Sequence, residues 1–80
     1  MFKIKFLHPD GKVSFLAGFT HHWINNDYVS TPVFTAGGLR EGILFKNEEM
    51  AWSYWLHNGK NYFEMLKNQG VMVSVEKEDI

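Results

Sequence analysis

The side chains best suited to metal chemistry in this sequence are four histidines, of which His21 and His22 are adjacent. Neutral imidazole is a good ligand for zinc, copper and nickel. Adjacent residues of an extended strand point to opposite faces, so these two side chains would diverge from a shared ion. The chain has no cysteine, and no close group of His, Asp and Glu completes a ligand set. We therefore predict no metal site and no cofactor.

The sequence also has no motif typical of a catalytic nucleophile or of a phosphate-binding loop. None of the four serines stands in the context of a nucleophile elbow. Glu48 and Glu49 are placed where negative charge stabilises the start of a helix, which explains them better than an acid/base pair does. The glycine-rich residues 37–42 lack both the lysine of a P-loop and the spacing of a dinucleotide fingerprint, and we predict a flexible loop there. The sequence thus predicts a protein that is not an enzyme, with no catalytic residue assigned.

Length and composition limit the remaining classes. Eighty residues form one domain, 1–80, and a chain of this size buries only about 60% of its unfolded surface. Aromatic residues, 16% of the total, supply the large side chains that so small a core needs. The net charge of −1 disfavours nucleic acid as a partner. No apolar run reaches the ~18 residues of a membrane span, so we expect a cytoplasmic protein with no membrane partner.

The first eighteen residues show the pattern of a β-hairpin. Apolar residues alternate with lysines over residues 2–6, which is the period of a half-buried strand. His8-Pro9-Asp10-Gly11 then has the composition of a tight turn. Alternation resumes over residues 12–18, so residues 2–18 are predicted to form the hairpin.

The middle of the chain has the weakest pattern. Residues 19–42 are predicted to form a long loop, with a short edge strand near Tyr28-Val29 or over residues 33–35. Pro32 cannot donate a ladder hydrogen bond, which favours either an edge position or a break. The apolar residues 43–45 predict another short strand.

Helical signals occupy the last third of the chain. Asn47 is a good N-cap residue and predicts a helix over about residues 48–57, which Asn58-Gly59 would end. A short second helix is predicted over about 62–69, and the alternating valines after Gly70 predict a C-terminal strand over about 71–76.

Together these elements predict an α+β fold. The N-terminal β-hairpin would belong to a small, mainly antiparallel sheet of three to five strands, with both helices on one face. The residues predicted to form the core are Ile4, Phe6, Val13, Phe15, Trp55, Leu66 and Val73.

The aromatic residues outside this core are the candidate contacts. On a helical wheel the apolar arc of residues 50–56 is wider than one sheet contact needs, so its flank is either covered by other parts of the chain or is a contact surface. Trp23 and Tyr28 raise the same alternative for the loop, because these residue types are frequent at interfaces. The predicted partner-binding residues are Trp23, Tyr28, Trp52 and Tyr54.

Three lysines suggest an alternative partner, single-stranded nucleic acid. Lys3, Lys5 and Lys12 would share the outer face of the hairpin and form a modest basic patch. Such a patch beside aromatic rings binds single-stranded nucleic acid by charge and stacking, although few aromatic residues are expected on that face.

Two segments resemble small accessory proteins of bacteriophages and other mobile elements. These segments are Leu44-Phe45-Lys46-Asn47-Glu48-Glu49-Met50-Ala51-Trp52 and Val71-Met72-Val73-Ser74-Val75-Glu76, a strand with a polar cap and helix, and a closing strand. Many such proteins bind and inhibit a host enzyme, which is the role that the resemblance implies. The leading hypothesis is therefore a non-enzymatic protein-binding module, a phage-type inhibitor or modulator of a host complex. A self-associating structural subunit, such as a homodimer, and a single-stranded nucleic-acid binder are the alternatives.

Overall fold

A computed structural model describes residues 1–35 and 42–78 and shows a four-stranded antiparallel sheet with one long helix. The strands pair in the order β3-β2-β1-β4. Their bounds are Phe2–Leu7 for β1, Val13–Ile24 for β2, Asp27–Thr35 for β3 and Met72–Lys77 for β4, and the helix α1 spans Glu48–Asn68. The predicted α+β class, the strand number and the N-terminal hairpin are confirmed. In the described residues no helix is long and apolar enough to cross a membrane.

The first hairpin forms as its turn residues predict. Gly11 adopts φ +86°, a conformation that side chains with a Cβ rarely adopt. The Asp10 carboxylate accepts a hydrogen bond from the Lys12 amide at 3.0 Å, and the Gly11 amide donates to the His8 carbonyl at 2.9 Å. These contacts fix the register in which Leu7 faces Val13 and Lys5 faces Phe15.

The predicted long loop is wrong over residues 19–35, and the edge strand predicted near Tyr28-Val29 or over residues 33–35 is present as part of a longer strand. Strand β2 continues to Ile24, a two-residue turn follows, and β3 returns from Asp27 to Thr35. Since β3 is an edge of the sheet, Pro32 occupies an edge position, one of its two predicted settings. The flexible loop predicted over residues 37–42 lies largely outside the described residues. The predicted strand over residues 43–45 is reduced to one bridge, in which Phe45 and Phe2 exchange hydrogen bonds of 2.8 Å.

The two predicted helical segments join into one continuous helix, and the predicted break at Asn58-Gly59 is absent. The reason is a packing contact: a Cβ added at Gly59 would lie 2.6–2.9 Å from three ring atoms of Trp55. Glycine is therefore present because the indole ring packs closely over the helix backbone there, and it does not end the helix.

Both ends of α1 agree with the sequence signals. The side chain of Asn47 accepts a hydrogen bond from the Met50 amide at 2.8 Å, as an N-cap residue does. At the other end Gly70 has φ +80°, and the Val71 amide donates to the Leu66 carbonyl at 2.9 Å. This closing motif reverses the chain into β4, which is displaced by one residue from the predicted strand.

The core lies between the sheet and α1. Four large side chains are fully buried there: Ile4, Phe6, Leu16 and Trp55. Leu66 is buried as predicted and Val73 is partly buried, but Val13 is exposed and its predicted core position is wrong. Phe15 is buried on the opposite face of the sheet, since it faces Lys5 in the register, so Leu16 takes the inward position in β2.

Candidate functional site

Strand β2 passes through two different environments. Residues 14–16 are buried, and Ser14 and Phe15 pair with β1, whereas residues 20–24 are exposed and pair only with β3. A bulge between Leu16 and Gly18 separates the two parts, and Gly18 adopts φ +155° there. The far part of β2 and the facing part of β3, residues 20–31, form a projecting β-hairpin that we call the arm.

The tip of the arm is a turn with left-handed backbone. Asn25 has φ +50° and Asn26 has φ +70°, so this two-residue connection is of type I′. The twist of that turn matches the right-handed twist of the strands, and asparagine tolerates positive φ better than most residues. The turn fixes the register in which Ile24 faces Asp27 and Trp23 faces Tyr28.

The register brings three rings together on one face of the arm. The Trp23 and Tyr28 rings lie 5.0 Å apart, and the His21 ring stacks on Tyr28 at 5.6 Å with 8° between their planes. Trp23 nevertheless remains 71% exposed and Tyr28 60% exposed. The cluster therefore orders the rings against one another and leaves most of their surface available.

The arm is held by a polar contact between its strands and by contacts with the helix. His21 Nδ1 and Ser30 Oγ share a hydrogen bond of 2.8 Å, and Thr31 Oγ1 lies 3.3 Å from the hydroxyl of Tyr62 on α1. At the base the ring of Phe19 stacks on buried Trp55 at 5.9 Å. We call the described residues outside 20–31 the body. The arm is anchored to the body at its base and held by its own cross-strand contacts further out.

The arm also differs from the body in charge. The sequence has eight basic and nine acidic side chains, yet Asp27 is the only one of them within residues 20–31. Depletion of charge together with exposed Trp and Tyr is the composition of the buried centre of a protein interface.

The structure separates the four predicted contact residues into two pairs. Trp23 and Tyr28 are in contact on the arm, as described. Tyr54 packs between sheet and helix, with its ring 5.7 Å from Phe19 and 5.4 Å from Phe45, and Trp52 is partly buried against the core. The flank of α1 around Tyr54 is therefore covered by the chain itself.

The three predicted lysines do not form one exposed basic patch. Lys3 is 4% exposed, its Nζ lies 3.1 Å from a Glu78 carboxylate oxygen, and it sits 4.5 Å above the centre of the Phe15 ring. Lys5 is half-buried, and Lys12 is exposed with its Nζ 3.9 Å from an Asp10 carboxylate oxygen. A phosphate would have to displace Glu78 to reach Lys3, which weakens the nucleic-acid alternative.

A shallow depression at the first turn holds a histidine and a serine side by side. His8 Nε2 and Ser14 Oγ are 3.0 Å apart, the separation expected of a base and a nucleophile. The Ser14 residue is buried, however, and pairing a buried hydroxyl is a sufficient reason for the contact. Among the described residues, no three His, Asp or Glu side chains are grouped to hold a metal ion.

Two residues join the candidate surface that the sequence had not marked. His21 stacks within the aromatic cluster, and Ile24 is half exposed beside the tip turn. The available signal was the Asn25-Asn26 pair, which is a type I′ turn sequence when aromatic and β-branched residues flank it.

Comparisons with protein-family models, with curated proteins and with solved structures give no significant match. A function for this chain is therefore inferred from its own geometry.

Proposed function

We propose that this protein is a non-enzymatic protein-binding module whose main contact is the arm. The observation that carries the proposal is the exposed Trp23–Tyr28 pair on a projecting, nearly uncharged hairpin. Aromatic rings of this kind give large contact area with few side-chain torsions to immobilise, which is why they dominate interface energetics.

The shape of the arm favours a cleft in the partner over a flat surface. A stable interface buries about 800 Å² on each partner, more than one face of a twelve-residue hairpin provides. Trp23 and Tyr28 lie on one face of the arm, and Ile24 lies near the tip of the other face, opposite Asp27, which is the arm's one charged side chain. Insertion into a cleft buries both faces and the tip, so the partner we propose is a protein with an apolar cleft.

The resemblance to phage accessory proteins adds a finer proposal. An arm that fills the cleft of a host enzyme or complex would inhibit it by occupying the site. This role accords with the absence of a catalytic motif in the sequence, and it requires no chemistry from the chain itself.

Site-specific photocrosslinking in cells tests the binding proposal. A photoreactive phenylalanine derivative replaces Trp23 in one variant and Met50 in a matched control, since Met50 is also exposed but lies on the helix. We expect a discrete adduct with another protein from position 23 only. An equal adduct pattern from both positions, or none from position 23, would contradict the proposal.

A further inference from the structure

The two edges of the sheet differ in how they are protected. Edge strand β3 contains Pro32, which has no N–H, and Thr31 contacts the helix through Tyr62. Edge strand β4, Met72–Lys77, has neither proline nor a register shift, and its charged residues are confined to its last two positions. An edge without such protection is a template for another strand.

The hydrogen-bonding groups that β4 presents at this edge follow from its register with β1. The Glu78 amide donates to the Met1 carbonyl at 2.7 Å, and the Met1 amine donates back at 3.4 Å. In an antiparallel ladder alternate residues face the same neighbour, so residues 72, 74 and 76 also point their backbone groups at β1. Val73, Val75 and Lys77 therefore point their N–H and C=O groups to the free edge.

An exposed helix flank accompanies this edge. Successive helix residues are 100° apart, so Tyr54 and Leu56 lie on opposite sides of the inward-facing Trp55. Tyr54 contacts Phe19 of β2, and Leu56 consequently faces the side of the sheet where β4 is the edge. Leu56 is 49% exposed and lines a shallow groove with Lys60, Phe63 and Glu64.

We propose that a second copy of this chain occupies this edge and groove, pairing β4 with β4 in antiparallel orientation about a twofold axis. In this register Val75 lies opposite Val75 of the other copy, and Val73 lies opposite its Lys77. All outward N–H and C=O groups of these three residues then have hydrogen-bond partners. The product is a continuous eight-stranded sheet. A twofold axis perpendicular to the sheet keeps both helices on one face, so the Leu56 and Phe63 flanks of the two copies face each other.

Charge favours this register and this partner. If the register shifts by two residues towards the C-terminal end of β4, Glu76 lies opposite Glu76 of the other copy, and the two carboxylates repel each other. If it shifts by two residues the other way, the Val71 amide is needed as a donor to the other copy, but it already donates to the Leu66 carbonyl. The chosen register opposes Glu76 to Ser74. Lys60 and Glu64 lie one helical turn apart, so antiparallel helices bring each lysine towards the glutamate of the other copy. Because β3 is the far edge, both arms stay free.

Sedimentation velocity across a concentration series tests the dimer. We expect wild type to approach twice the 9.3 kDa chain mass. Leu56→Glu should raise the dissociation constant about tenfold or more, because it places a charge in the apolar seam. Met50→Glu is the matched control, since Met50 has nearly the same exposure on another side of the same helix, and it should leave dimerisation unchanged.

Two further measurements separate this interface from any other dimer. Lys60→Glu and Glu64→Lys should each weaken dimerisation, and the double exchange should restore it. Amide hydrogen exchange at Val73 and Val75 should slow as concentration rises. A wild type that stays monomeric, equal loss in Leu56→Glu and Met50→Glu, or a dimer whose Val73 and Val75 amides exchange as in the monomer would each overturn the proposal.

Discussion

The two ends of strand β2 have the same backbone conformation but opposite surroundings. Near its start, Leu16 is fully buried under the helix, whereas seven residues later Trp23 is the most exposed large apolar side chain among the described residues. Body residues also carry nearly all the charge, and the arm carries one acid. In the body apolar side chains are used to fold the chain, while in the arm they remain available for contact.

The difference has an energetic meaning. A two-stranded hairpin alone is only marginally stable in water, so the arm is stabilised by the contacts of Phe19 at its base and by its attachment to the body. The body needs none of the arm's exposed rings for its core. Substitutions in the two regions should therefore have separable effects.

The largest effect should come from Trp55→Ala. The indole is fully buried and its ring lies 5.3 Å from Phe6. Removing such a side chain typically costs about 3–5 kcal/mol, which is most of the stability of a marginal small domain. Chemical denaturation followed by circular dichroism measures the loss, and a variant that unfolds at the wild-type denaturant concentration would refute the core placement.

Gly59→Ala should destabilise the body by overpacking. Alanine favours helix over glycine by about 1 kcal/mol, so propensity alone predicts stabilisation. The new Cβ would lie within 2.9 Å of the Trp55 ring, and relieving this clash should cost about 1–3 kcal/mol. Ser53→Ala, at an exposed position of the same helix, is the control for propensity. Thermal melts compare the variants, and a higher melting temperature for Gly59→Ala would show that the contact is not limiting.

Asn26→Ala should loosen the arm and leave the body intact. Alanine in the left-handed region costs about 1–2 kcal/mol, whereas Asn26→Gly accepts φ +70° without that penalty. Hydrogen exchange of the arm amides should accelerate in the alanine variant only. If the body amides accelerate equally, the arm and body unfold together and the proposed separation is wrong.

Trp23→Ala is expected to change stability by no more than about 0.5 kcal/mol, because the ring is mostly exposed. Trp23→Ala removes the same side chain as Trp55→Ala, but from the exposed arm instead of the buried core. A paired thermal melt measures both, and loss of cooperative unfolding in Trp23→Ala would assign that ring to the fold.

The smallest expected effect is that of a chelator. His21 and His22 are adjacent on β2, and His21 already bonds Ser30. Treatment with EDTA should leave the melting temperature unchanged. A downward shift would reveal a structural metal.

The sequence predicted those elements that are buried on one side. Residues 2–6 alternate because one face packs on the core, and the period of two is visible for that reason. The arm is exposed on both faces through residues 20–28, so its sequence shows no such alternation. Its β-branched and aromatic content, with the Asn25-Asn26 turn, was the remaining signal.

The helix break was mispredicted for a different reason. Asn58-Gly59 is a good local signal for a helix end, and no local rule reports that a ring four residues earlier needs the space of a missing Cβ. The same limit applies to the candidate site. Composition marked Trp23, Tyr28, Trp52 and Tyr54 together, but only tertiary packing could show that Tyr54 contacts Phe19 and Phe45 while Trp23 stays exposed.

The three tryptophans lie in three settings, and this gives the protein a built-in optical reporter. Trp23 is in solvent, Trp52 is partly covered and Trp55 is enclosed. Indole emission moves to shorter wavelength when water is removed from the ring, so occupancy of the arm should shift the spectrum of Trp23 alone. The difference between wild-type and Trp23→Phe spectra isolates that signal without altering the core. Quenching by iodide should act first on the same ring, so engagement of the arm can be followed in real time without an attached dye.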